Sequence, residues 1–496
     1  IAAFSLQTIY NFVDAIWVAA MDETPETPAR GPPGMTQGVQ TLLGDPKKAI
    51  IRLALPMIAA FSLQTIYNFV DAIWVAGLGP DALAAVGFFF PFYFIALAIG
   101  LGIGTGGGAA ISRRIGARDR EGAGRVGSHT FVLMLLSSVA LAIPFFLFAE
   151  PLFAAIGAGG TTGLVVAYGQ ILFAATPIIF FTSVGNAILR AEGDARRAMY
   201  AMAFGAVLNI VLDPIFIYTL GMGIAGAAWA TVVSLVATSL LMINWLFLRR
   251  DTYVHIAFRG FRFQGAILRD ILRVGLPASV MFLTMSFAIL TLNLIVVAVD
   301  STDGVAVMTA GWRVLTLAHL PVFGLSTAVV SVIGASYGAR AFGKLKTAYL
   351  YGIQVGLYME IPAAVAIFFF AGPLAGLFTW TAASAPITQD IVLFLMITAP
   401  SVPFMAIAVP TSTMFQGTGR GNSALLVTLF RTVILMPPLA YVFAAVLGVG
   451  VTGVWWGILA ATTVGATVAL AWGRTYVNGL VRSQVPRPEE RPAEAS

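Results

Sequence analysis

The sequence predicts an all-α polytopic membrane protein whose twelve transmembrane helices form two pseudo-symmetric six-helix bundles. Three observations carry that prediction. Hydrophobic residues make up 59% of the 496-residue chain and charged residues only 10%, with a mean hydropathy of +0.90. A soluble domain carries about 25% charged residues, so the solvent of this chain is largely lipid. Twelve stretches after residue 50 are apolar over the ~20 residues that a spanning helix needs. Motifs of the first half also return in the second at a nearly constant spacing.

The predicted spans run over 51–76, 83–111, 126–148, 164–187, 199–219 and 224–248, then 268–299, 305–334, 346–371, 386–414, 423–446 and 450–474. The first six make an N-lobe, 51–248, and the last six a C-lobe, 268–474. A polar linker over 249–267 joins the lobes, a tail over 21–50 precedes them, and a Pro- and Glu-rich tail over 475–496 follows. Every second loop is basic. Arg113, Arg114, Arg118, Arg120 and Arg125 share one, Arg190, Arg196 and Arg197 the next, Arg249 to Arg273 the linker, and Arg340, Lys344, Lys346 and Arg420 follow. The intervening loops carry Asp81, Glu150, Asp300 and Asp303 instead. Short basic loops stay in the cytoplasm, which places both native termini there in a multi-pass protein of the cell membrane. Topology thus accounts for the net charge of +6, and no nucleic-acid partner is needed.

The lobes repeat one design. Arg52-Leu-Ala-Leu-Pro56 matches Arg273-Val-Gly-Leu-Pro277, and Ile115-Gly-Ala-Arg118 matches Tyr337-Gly-Ala-Arg340. Gly226-Ala-Ala-Trp229 is echoed by Gly453-Val-Trp-Trp456, with all offsets within 221–227 residues. Halves with an even number of spans face the same way, which implies a pseudo-two-fold axis along the membrane normal and a substrate site near their interface.

Residues 1–19 stand apart, because Ile1–Ala19 recurs unchanged at Ile58–Ala76. Divergent repeats do not stay identical over that length. Met21 reads as a natural start, and residues 1–20 as an added copy of the first-span sequence or an alternative form of it. Its polar stripe, Gln7, Asn11 and Asp14, is that of the first span. A peptide of this sequence is therefore expected to dock where the first span docks.

The chain has no cysteine, which excludes disulfides, thiolate metal sites and cysteine nucleophiles. His129, His255 and His319 are too scattered for a metal site. The chemistry falls to ionisable groups inside spans, where their cost marks function. Asp71 shares a helix face with Gln64 and Asn68 at i, i+4 and i+7 spacing. Asp213 follows Asn209 by one turn, and Thr231, Ser234 and Thr238 line one face of the sixth span. With Asn186 these residues outline a polar pocket inside the N-lobe. Two carboxyls there suit a proton, and carboxylate, amide and hydroxyl oxygens suit Na⁺ equally. In the C-lobe, Glu360 is expected to pair with Arg313. Pro56 and Gly77 bracket the Asp71 helix and mark it as a moving part. The run Gly100–Gly108 contains a GxGxxG match, but it ends an apolar span and reads as close helix packing or a hinge. No catalytic residue and no cofactor is expected.

Four stretches resemble the MATE family, the multidrug and toxic compound extrusion transporters, and its archaeal, proton-linked branch in particular. They are Asn68-Phe-Val-Asp-Ala-Ile-Trp-Val-Ala-Gly-Leu-Gly79, Arg114-Ile-Gly-Ala-Arg-Asp119, Leu189-Arg-Ala-Glu-Gly-Asp194 and Asn209-Ile-Val-Leu-Asp-Pro-Ile-Phe216. The resemblance implies a V-shaped pair of bundles working by alternating access. It implies a cation-coupled antiporter exporting amphipathic, often cationic organic compounds, monomeric in the lipid bilayer. It also implies an N-lobe site for H⁺ or Na⁺ at Asp71, Asn209, Asp213 and Thr231, coupled to bending of the first span. Two rivals remain. A lipid-linked oligosaccharide or lipid-precursor flippase would need cationic groups in the cavity, where only Arg313 and Arg431 qualify. An intramembrane aspartyl protease would need its carboxylates in sequence contexts other than Val-Asp71-Ala and Leu-Asp213-Pro.

Overall fold

The computed structural model describes residues 35–249, 251–299, 302–380 and 384–484. The copied segment 1–19, residues 21–34 of the first tail and residues 485–496 lie outside the described residues. Among the described residues, eleven helices are long and apolar enough to cross a membrane, and a twelfth candidate is the pair Gly159–Ala174 and Thr176–Ala191, bent by 50°. Pro177 opens the second piece, where its missing N–H breaks the helical ladder.

Hydropathy located the spans but not their ends. The second span runs over Pro80–Gly116, the eighth over Thr302–Gly338 and the twelfth over Val451–Arg482. The last of these carries helix into the stretch read as a tail from 475, and the seventh begins at Gly265, inside the expected linker. Apolar patterning reports only the lipid-embedded part of a helix, which continues into water until a cap stops it. The first span, Pro46–Ala76, shows such a cap. Asp45 accepts from the N–H groups of Lys47 and Lys48, and Pro46 occupies the first helical position, where no N–H is needed.

The internal repeat is visible in the backbone. Arg118 and Arg340 end the matching Gly-Ala-Arg motifs with φ of 58° and 54°, and among the described residues they are the two non-glycine residues in the left-handed region. A wide helical turn at Ile215–Thr219 has its counterpart at Val442–Val446. Gly226 and Gly453 make the same close approach, to the Phe216 carbonyl and to the Phe443 carbonyl and Ala444 N–H.

The packing explains how the lobes sit. One buried core contains residues of both lobes, among them Leu53, Ile111 and Ile188 of the N-lobe and Ile271, Leu325 and Val332 of the C-lobe. All lie toward the end where the basic loops gather. At the opposite end the core divides. Val75, Phe89, Phe153 and Ile224 pack within the N-lobe alone, and Leu292, Met308, Phe394 and Trp455 within the C-lobe alone. The molecule is a V, joined at its basic end and open at the other. Glycines let the lobes meet there. A Cβ on Gly106 would collide with the Ile271 carbonyl oxygen, and one on Gly116 with the Ala335 carbonyl. Arg113 bridges the same seam, donating to Asp270 at 2.7 Å and to the Gly417 carbonyl at 3.3 Å. The glycine run 100–108 is therefore a packing surface, with Gly102 and Gly106 facing the seventh span and Gly104 and Gly108 the fourth.

Candidate functional site

The first, fifth and sixth spans build the site. The first carries Asp71 six residues before its end at Gly77, and the fifth carries Asp213 just before Pro214 and the wide turn Ile215–Thr219. Both therefore lie in the open half of the molecule. Asp213 is fully buried and Asn209 nearly so, whereas Asp71 is half-buried. The two carboxyl groups lie close enough to interact directly. Asn209 links them to the sixth span. In the orientation that satisfies both its neighbours, its amide donates to Asp213 Oδ2 at 3.0 Å and accepts from the Thr231 N–H at 3.1 Å. We prefer it because the reverse orientation leaves the amide one bond, to Thr231 Oγ1 at 3.3 Å. The structure thus brings Asp71, Asn209, Asp213 and Thr231 into one chain of contacts.

Two neighbouring carboxyl groups could share a proton, since neither ionised oxygen can donate. Two carboxylates, an amide oxygen and a hydroxyl are also the oxygen donors that Na⁺ would draw on. Among the described residues, no three or more His, Cys, Asp or Glu side chains gather in a metal-binding group.

The other expected pocket residues divide. Gln64 and Asn68 continue the Asp71 stripe and bond to each other at 3.4 Å. Ser234 is buried and returns its hydroxyl to the Thr231 carbonyl at 2.8 Å. Asn186 does not join the pocket. It lies five residues from the basic end of its helix, bonds back to Thr182 at 3.0 Å and has a buried carbonyl oxygen without a partner. Pro56 is accommodated within an unbroken helix. Gly77 has a different use from a hinge. A Cβ there would collide with the Tyr218 hydroxyl, so the glycine makes room for Tyr218 to donate to the Trp74 carbonyl at 2.6 Å.

The expected Glu360–Arg313 pair is not formed. Glu360 is fully buried and binds His319 Nδ1 through both oxygens, at 3.0 and 3.2 Å. His319 and Arg313 are six residues apart on one helix, which puts them on different faces about 9 Å apart along the axis. Glu360 reaches the inward face, and Arg313 is exposed.

Sequence reading also missed a ring of tyrosines. Tyr67, Tyr93 and Tyr168 stand close enough to Asp71 to feel its charge. Phe89 packs edge-on against Tyr168 at 5.2 Å and tilted against Tyr93 at 6.0 Å. The available signal was Tyr67, one turn before Asp71 on the same stripe. Tyr93 and Tyr168 come from other helices and were lost among the many apolar aromatics.

Comparison with known proteins agrees with this architecture. The chain is 27% identical over 429 residues to the multidrug export protein MepA of Staphylococcus aureus (strain bovine RF122 / ET3-1), covering 85% of this chain and 92% of that protein. Among solved structures, a MATE in complex with MaL6 superposes with a TM-score of 0.88 at 46% identity, over 90% of this chain and 100% of the other. The outward-facing conformation of a multidrug resistance MATE family transporter of the MOP superfamily gives a TM-score of 0.87, also at 46% identity, over 90% and 99%. The MatE family model matches residues 56–215 and 277–442, one block in each lobe, each opening on the repeated proline, Pro56 or Pro277. This polytopic membrane protein therefore belongs to the MatE family of transporters.

Proposed function

We propose that the chain is a proton-coupled antiporter that exports amphipathic organic compounds by alternating access, with the Asp71–Asp213 pair as its coupling site. The carrying observation is the contact of these two carboxyl groups at the wall of the cleft. Sharing one proton, the pair has a single negative charge. Losing it leaves two carboxylates in contact, a repulsion of about 4 kcal/mol at 4 Å and an effective dielectric of 20. That repulsion acts on the first span, which carries Asp71 and is weakened in its ladder by Pro56. It is relieved by a proton or by a cationic group entering from the cleft. Proton and cargo then compete for one site, which makes their exchange obligatory.

The multidrug export of relatives such as MepA supports this reading, as does the apolar and tyrosine-rich wall beside Asp71. With the basic loops in the cytoplasm, the open end faces outward, as export requires for release. Proteoliposomes loaded with rhodamine 6G test the proposal. A proton gradient alone should drive transport, and a Na⁺ gradient at equal pH should not. Transport driven by Na⁺ alone would assign the same oxygen donors to Na⁺.

A further inference from the structure

Arg313 lies ten residues in from Asp303, about 15 Å along the helix and so halfway through a hydrocarbon core of about 30 Å. Its face of the eighth span is fixed by Gly324, where the helix touches Ile58 of the first span. The two are eleven residues apart, close to three turns of 3.6, and the helix runs on through Pro321 between them. Arg313 therefore sits on the stripe that faces the other lobe, but nearer the open end, where the lobes have parted. Glu360, the carboxylate expected to neutralise it, is taken by His319. Among the described residues no carboxylate pairs with Arg313. Beside the guanidinium is a cavity of about 460 Å³ whose walls include Val305, Ala310, Phe378, Ile387 and Ile391. That volume falls in the range of small-molecule pockets.

An unneutralised guanidinium at one end of a cavity walled mainly by apolar side chains and Thr309, in the wall of a cleft, is complementary to one kind of ligand. We propose that the C-lobe wall holds an anion subsite in which Arg313 binds the oxyanion head of an amphiphile (sulfonate, carboxylate or phosphate) and the apolar side chains of the cavity take its hydrophobic body. The planar guanidinium suits such heads, because two parallel N–H groups meet two oxygens. The cleft then has opposite charges on its walls, the acid pair on the N-lobe and Arg313 on the C-lobe. Its cargo extends from cationic amphiphiles to zwitterionic and anionic ones. The inference rests on the proposal that the cleft carries amphiphilic cargo, but it concerns binding and is tested without any ion gradient.

Two dyes of similar body and opposite head charge provide the test, rhodamine 6G and sulforhodamine 101. Their affinities for the purified full chain are read by fluorescence polarisation. We expect wild type to bind both, and the sulforhodamine-to-rhodamine affinity ratio to fall about tenfold to hundredfold in Arg313→Gln, as expected for loss of a charged hydrogen bond. Arg313→Lys, which keeps the charge without the fork, should fall between them. Displacement of sulforhodamine by lysophosphatidate in wild type would identify lipid as the source of the head group, and displacement by a soluble aryl sulfonate alone would identify a non-lipid compound. Failure of wild type to bind sulforhodamine, or an unchanged ratio in both variants, would overturn the subsite. Dye binding without proton-driven transport would refute the antiport reading and leave the subsite standing.

Discussion

Glu192 sits fully buried just past the fourth span, where its Oε2 accepts from the N–H groups of Tyr253 and Val254 at 2.9 and 3.1 Å. It fastens the inter-lobe linker to the N-lobe. Burial pushes its carboxyl up to about 8, against the pull of those backbone hydrogen bonds. Between its ordinary value of 4.5 and about 8 the folded state therefore holds a proton that the unfolded state has lost. Stability falls as pH rises through that window and levels off above it. An amide in its place still accepts both N–H groups and never ionises. Glu192→Gln should thus melt higher than wild type at pH 9, by on the order of a few kcal/mol, with the gap closing toward pH 5. A variant less stable at pH 9 would contradict the account. Membership of a motif did not reveal this residue's role, since its partners are backbone groups about sixty residues away. Asp71, Asn209 and Asp213 were legible for the opposite reason. Polar residues at helical spacing in an apolar span have little other use.

Helix periodicity could also not say which neighbour each face meets. Trp74 near the end of the first span and Tyr218 near the end of the fifth are joined by a hydrogen bond of 2.6 Å and an edge-on ring contact at 6.2 Å, and only the packed helices reveal it. This tie fastens the end of the first span, one turn beyond Asp71, to the end of the fifth. Gly77→Ala places a methyl against the Tyr218 hydroxyl and should destabilise the protein by about 1–3 kcal/mol. Tyr218→Phe removes that hydroxyl and loses a bond of about 1 kcal/mol. In the double variant the clash is gone, so the two losses should fall short of additive by about 1 kcal/mol or more in a thermal-melt cycle. Strict additivity would mean that Gly77 does not serve the Tyr218 contact. The Glu360–Arg313 expectation failed at the same level, because a count of charged residues in a span cannot tell the faces of a helix apart.

At the scale of the molecule, the repeat and the loop charges revealed two lobes of six spans, and packing adds where they part. The glycine seam and the Arg113–Asp270 bridge close the basic end. A chain with no native cysteine allows a direct check by single-cysteine labelling with a membrane-impermeant maleimide. Asn68→Cys and Leu317→Cys, both in the open half, should label from the side opposite the basic loops, and Ala335→Cys, in the closed seam, should not. The reverse pattern would place the opening at the wrong end.

Proton-driven efflux of rhodamine 6G from proteoliposomes decides whether the Asp71–Asp213 carboxyl pair couples proton movement to export. Asp71→Asn and Asp213→Asn each leave one carboxyl and one neutral amide of the same shape, so the folded protein and its melting behaviour should survive. The shared proton, and the repulsion that follows its loss, should not. Efflux should fall to the protein-free background in each variant. Efflux at the wild-type rate in either one would contradict that coupling.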